Sequence, residues 1–332
     1  MIIPDAIIPL LPVLFLILCA EFVNGWHDAA NAIATVVSTR VLSPSLALVM
    51  AVILNAVGTM SGTAVAMTIG KGIVRPEAIN IMTVAAAMVG VITWGILTWY
   101  YGLPSSSTHA LVSALAGAGL ATAGPSVLLW SGWAKVLTGL AFSTFLGFFG
   151  GFSMMVAIYR TLWKVSPGMI RKLFGRLQIL SAAFMAFSHG SNDGQKFMGA
   201  FTLALVLGGV LPVFHIPFWV IIMCALTMGM GTAVGGWRIM KTMGMRLTKL
   251  EPVQGFSAET GAAMTIELAS RLGIPLSTTH TISTSIMGVG ATRKFSAVRW
   301  GVGGEIVTAW IFTFPMCFLI GWITCEILKR LF

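Results

Sequence analysis

The sequence predicts an all-α polytopic membrane protein built from two inverted-topology repeats, each with three transmembrane crossings, the first of them broken, and one re-entrant helical hairpin. Three observations predict it. Of the 332 residues, 57% are hydrophobic and only 9% charged, against roughly a quarter charged in a soluble domain. Apolar stretches of the about 20 residues that a helix needs to cross a bilayer recur along the whole chain. The polar interruptions within these stretches come in pairs.

Twenty Lys and Arg against ten Asp and Glu leave a formal net charge of +10. In a soluble protein that surplus would point to nucleic acid. Here the apolar background excludes that partner and makes the charge topological, because Lys and Arg collect in cytoplasmic loops. The four cysteines lie in apolar runs without metal-type spacing and read as small buried side chains. The N-terminal stretch has neither a basic n-region nor a small-residue cleavage site, so it is expected to be the first membrane segment.

Apolar segments fall at 6–39, 46–69, 79–101, 105–123, 132–158, 179–210, 217–236, 257–272, 275–291 and 302–326. The first and sixth exceed one crossing and carry polar clusters midway, NGWHDAAN (24–31) and HGSNDGQK (189–196). The segments at 105–123 and 275–291 are short, and each opens at a Pro followed by hydroxyl residues, within GLPSSSTH (102–109) and GIPLSTTH (273–280). The two clusters stand 165 residues apart and the two Pro motifs 171 apart, in the same order. Two matches at nearly one offset mean an internal duplication, dividing the chain into 1–165 and 166–332. Interrupted hydrophobic segments at matching places in two halves mark a secondary transporter built from repeats.

Basic residues orient the halves. The loops at 159–177, 237–256 and 293–299 are rich in Lys and Arg and are expected inside. For the last two to share a side, 257–272 and 275–291 must enter and leave by one face, as a re-entrant hairpin with GIPLSTTH at its tip. The same scheme puts a hairpin at 79–123 with GLPSSSTH at its tip, entering from outside. Three crossings per half is an odd number, so the halves are inverted and both termini are expected outside the cytoplasmic membrane, with the two tips meeting near its midplane.

Helix N-termini present unpaired N–H groups and a partial positive charge, so they bind phosphate-like anions without Arg or Lys. Pro104 and Pro275 suit helix starts. Ser105, Ser106, Ser107 and Thr108, with Ser277, Thr278 and Thr279, would add hydroxyl donors, although Ser and Thr at such places also serve as ordinary N-caps. Two such ends facing each other make a site for a tetrahedral oxyanion. Asp28 and Asp193 lie deep in their segments at matching positions, where an ionisable group costs about 2.5–3.5 kcal/mol and persists because it binds an ion, a proton or a partner. With Asn24, Asn31 and Asn192 they offer hard oxygen ligands for a cation or metal. A structural pair of Asp193 with Lys196 is the alternative, and Lys196 stands where the first half has Asn31, so that an ammonium can take the place of a coupling cation. His27, His109, His189 and His280 all lie in the duplicated motifs and suit proton coupling or hydrogen-bonding support. Glu21, Glu259, Glu267 and Glu305 are further acids in or near apolar segments, Glu259 ranking with the ion-pathway candidates. HExxH, P-loop, GxSxG and paired CxxC motifs are absent, which argues against an enzyme and against a bound cofactor.

The motifs FVNGWHDAANAIATVVSTR, GLPSSSTHALV, SHGSNDGQKFMG, QGFSAETGAA, GIPLSTTHTISTSIMGVG and AWIFTFP, in this order over nearly the whole chain, resemble the inorganic phosphate transporter (PiT) family. The resemblance implies ion-coupled import of inorganic phosphate by alternating access and a homodimer. It points to Asp28, Asn31, Asn192 and Asp193 for the coupling ion or metal, and to the seven tip hydroxyls for phosphate. HGSNDGQK is similar to the bacterial low-affinity, proton-coupled branch, which moves neutral metal–phosphate complexes; the sodium-coupled branch keeps Asn where this chain has Lys196. Protons are therefore the expected coupling ion, with sodium coupling or sulfate transport as alternatives.

Overall fold

The computed structural model describes residues 5–331, which form helices and no strands. The first half runs α1 (Leu11–Ser38), α2 (Pro44–Thr59), α3 (Ala64–Gly72), α4 (Ile81–Tyr101), α5 (Ser107–Ala123) and α6 (Trp130–Thr161). The same order of long, bent, hairpin and long elements recurs as α7 (Pro167–Leu207), α8 (Phe218–Val234), α9 (Trp237–Lys241) with a π-turn over Thr242–Arg246, α10 (Pro252–Arg271), α11 (Thr278–Ala291) and α12 (Trp300–Leu331).

The first crossing of each half is not broken. Both α1 and α7 run unbroken through NGWHDAAN and HGSNDGQK. Their glycines permit close packing instead of interrupting the helix. A Cβ on Gly25 would strike the Met228 carbonyl of α8, and one on Gly190 the Asn55 carbonyl of α2, the small-residue contact through which membrane helices approach. The break falls one element later, where α2 and α3 meet at 66° and α8 and α9 at 62°. Gly235, at φ 77°, ends α8, while Gln195 from α7 accepts the Val65 amide in the first turn of α3 at 3.0 Å. A backbone amide freed by the first bend is thus satisfied by the protein, as membrane depth requires.

By length and apolarity, Ile7–Ser38, Ile81–Tyr101, Trp130–Thr161 and Trp300–Leu331 can each cross a bilayer, and each bent pair can add one more span. Large apolar side chains face outward from α6 (Phe142, Phe145, Phe149) and α12 (Ile311, Phe312, Trp322), as lipid contact demands. The chain is a multi-pass membrane protein.

The halves are interlocked. Hairpin α4–α5 packs on α12, and hairpin α10–α11 packs on α6. Two apolar cores result, one around each hairpin. Helix α1 belongs to the first core up to Ala20 and to the second from Ala30; α7 leaves the second at Ala186 and enters the first at Phe197. The buried polar belts of both helices therefore lie at the seam between the cores.

Candidate functional site

Each tip begins with a left-handed glycine, Gly102 (φ 68°) and Gly273 (φ 66°), a conformation that costs glycine least and ends the preceding helix. Helices do not start at Pro104 and Pro275. Both chains stay extended to Ser106 and Ser277, whose hydroxyls cap the next helix by accepting the amides of His109 (3.3 Å) and His280 (3.2 Å). Serine outranks proline here because it can satisfy an orphan amide.

The tips are tied down from the opposite half. Thr68 of α3 donates to the Gly273 carbonyl at 2.7 Å, and Thr242, beyond α9, to the Gly102 carbonyl at 2.8 Å. Thr108 donates to the Leu276 carbonyl at 2.7 Å, joining tip to tip, and the Trp310 indole donates to the Pro104 carbonyl at 2.9 Å. His109 and His280 meet edge to face at 4.7 Å between ring centroids, with His280 stacked on Trp310 at 3.6 Å.

Against the tips lie the two acids. Ser107 Oγ is 3.2 Å from Asp28 Oδ2 and 3.0 Å from Asp193 Oδ2. A serine hydroxyl has one proton, so it can donate to only one of these carboxylates at a time. Lys196 Nζ donates to Asp193 Oδ1 at 2.6 Å and lies 3.4 Å from Ser107 Oγ. Asp28 Oδ1 is 2.7 Å from His27 Nδ1 and accepts from Thr279 at 3.4 Å. Asn31 donates to Thr279 at 2.9 Å and Thr278 at 3.4 Å, leaving its Oδ1 without a donor. Asp28, His189 and Asp193 each offer a ligand atom, all within 4.8 Å of one another. Two carboxylate oxygens and an imidazole nitrogen suit a divalent transition ion.

The Phosphate transporter family model matches this chain over residues 24–169 and 163–321. A protein of Rhizobium meliloti named "Probable low-affinity inorganic phosphate transporter" is 46% identical, over 90% of this chain and 90% of its own. A Bacillus subtilis protein of the same name is 41% identical, over 96% of this chain and 98% of its own. The chain belongs to the phosphate transporter family. Its class is therefore transporter and not enzyme. A solved structure titled "The sodium-dependent phosphate transporter" shares the fold, with a TM-score of 0.89 at 24% identity over 97% of this chain and 99% of that one.

The structure gathers Asp28, Asn31, Asp193, Lys196, His27, Thr278 and Thr279, all buried, around the half-buried Ser107. Other candidates are placed differently. Ser106 and Ser277 are caps. Thr108 spends its proton on the facing tip. Ser105 contacts Thr98 at 3.0 Å and His27 Nε2 at 3.3 Å. Asn192 donates away from the acids, to Ser270 at 3.0 Å and the Ile274 carbonyl at 3.3 Å, so its amide anchors the second tip. His189 Nδ1 is 3.1 Å from Asn55 Oδ1 and its Nε2 3.7 Å from Asp193. Glu259 sits in a separate cluster, accepting from Thr35 at 2.5 Å, from Gln178 at 3.1 Å and from Ser181. Thr98 and Asn55, which hold His27 and His189, escape sequence reasoning; the one available signal is a polar residue inside an apolar helix.

Proposed function

We propose that the protein imports inorganic phosphate across the cytoplasmic membrane as a proton-coupled symporter working by alternating access, accepting phosphate free or as a neutral complex with a divalent metal. One observation carries this reading: two hydroxyl-bearing helix N-termini, one from each half, converge on a pair of buried acids bridged by Ser107. Anion and cation sites thus share an atom, and occupancy of one alters the field at the other.

In this reading 1–165 and 166–332 are inverted repeats, and the seam between the two cores is where access alternates. The tip amides and the hydroxyls of Ser107, Thr278 and Thr279 hold phosphate. Asp28 and Asp193, with His189, hold the accompanying metal as cargo. Both termini face outside, and the protein acts as a homodimer, an expectation carried by the family resemblance. Proton coupling is favoured over sodium by Lys196. Its ammonium neutralises the second acid at 2.6 Å, at the position where the first half offers a neutral amide.

Labelled phosphate uptake into proteoliposomes tests the proposal. An inward proton gradient should drive accumulation above equilibrium without sodium. Uptake that ignores the proton gradient and requires sodium would overturn the coupling, and competition with sulfate tests the choice of anion. Accumulation uphill also excludes a channel, which only equilibrates its substrate.

A further inference from the structure

Glu21 lies on α1 about two turns before Asp28 and takes no part in the cluster described above. It is fully buried, and neither carboxylate oxygen has a hydrogen-bond partner. Asn24, one turn further along, is also buried with both amide atoms unpartnered. Two adjacent polar side chains are thus buried together in a helix that is otherwise closely packed, with the Asn24 amide beside the Glu21 carboxylate.

The register of α1 against α7 shows what Glu21 faces. The Leu10 side chain lies against Gly208, Asp28 and Asp193 share Ser107, and Thr39 donates to Gln178 at 2.9 Å. The two helices are therefore antiparallel, and the pairing places Glu21 beside the turn 196–200 of α7, which Lys196 opens. From α7 the charged groups within electrostatic reach are Lys196 and Asp193, and from α8 the thiol of Cys224. His27 and Asp28 follow on the same helix; α2 brings no acid or base, and the tyrosines of α4 lie at its far end. The basic segment after α8 meets α1 beyond Glu21, at Trp26, His27 and Ala34. Glu259 meets α1 at Thr35, about 21 Å further along the axis at 1.5 Å per residue.

We infer that Glu21 is the site that binds the coupling proton, with Lys196 as the group that responds to its charge; this rests on the proton-coupled reading above. An ionised carboxylate with no donor is costly at membrane depth, and the protonated acid removes that cost. Lys196 has three donors, of which Asp193 takes one and Ser107 can take another. When Glu21 is ionised the ammonium is drawn toward it and away from Asp193. When a proton arrives from outside, Glu21 is neutral and Lys196 returns to Asp193. Because Ser107 belongs to the first tip and contacts Lys196, Asp193 and Asp28, the position of the ammonium is felt where phosphate binds. The proton leaves Glu21 on the cytoplasmic side.

The test uses full-length protein in proteoliposomes with labelled inorganic phosphate, measuring accumulation under an inward proton gradient and phosphate exchange at equal concentrations on both sides. Glu21→Gln should lose accumulation while exchange continues at a reduced rate, and Glu21→Asp should accumulate with a displaced pH profile. Accumulation by Glu21→Gln at the wild-type level overturns the inference, as does loss of exchange in both variants, which would make Glu21 structural. Should Glu21→Gln fail to fold, a pH profile of Glu21→Asp identical to wild type overturns it instead. Wild-type protein that shows no proton-driven accumulation defeats the coupling proposal itself, a separate outcome.

Discussion

The two duplicated motifs occupy matching helices and meet at one serine, yet they differ in charge. In the first, Asp28 is followed by neutral Asn31, whose amide reaches the second tip through Thr278 and Thr279. In the second, Asp193 is paired with Lys196 and both are fully buried. The matching motifs carry two matching acids, and one Asn-to-Lys difference makes them unequal: one acid has a neutral amide in its motif, the other carries its own cation. A buried pair of this kind contributes little net stability, but breaking it is expensive. The asymmetry is therefore more readily explained by transport than by folding.

The sharpest way to break the comparison is Asp193→Asn. It should abolish uptake and also leave Lys196 unpaired, at a cost of about 3–5 kcal/mol, visible as a lowered thermal midpoint in detergent. Asp28→Asn should abolish uptake equally while the midpoint stays near wild type; a large loss of stability here would mean that the two acids are alike after all. Lys196→Asn makes the second motif resemble the first, and uptake should then depend on added sodium, or fail where sodium is withheld. Ser107→Ala removes a hydroxyl shared by both acids and should weaken phosphate affinity by about 1–3 kcal/mol, read as a raised KM. Ser106→Ala, which removes only a cap, should cost about 1 kcal/mol of stability. The smallest effect belongs to Glu267→Gln. Its partner Arg271 is largely exposed, so the change should fall below about 1 kcal/mol in a thermal melt.

Much of the site was legible because repetition marks it. Asp28 and Asp193, the tip hydroxyls and the Lys196 substitution all stand out when the halves are aligned. The helix breaks were misjudged because Gly25, Gly190 and Gly194 look like interruptions in a string of letters. In the structure they are the faces through which α8 and α2 approach, and nothing in the sequence names the helix on the other side. The hydroxyls could not be sorted into caps and ligands for the same reason. Ser106 and Ser107 are neighbours in sequence, yet one accepts an amide of its own helix and the other reaches two carboxylates 79 and 86 residues away.

The sequence by itself determined that this is a helical membrane protein with two pairs of repeated motifs, that it belongs with the phosphate transporters, and which two acids and two tips those motifs carry. Apolar length, charge scarcity and repetition are properties of the chain, and need no partner to be seen. Only the tertiary structure decided which hydroxyls face the acids, that Glu259 stands apart with Thr35, Gln178 and Ser181, and that Glu21 is buried outside the cluster, beside the turn of α7 that Lys196 opens. Those are matters of register between helices far apart in the chain, and register is fixed by packing.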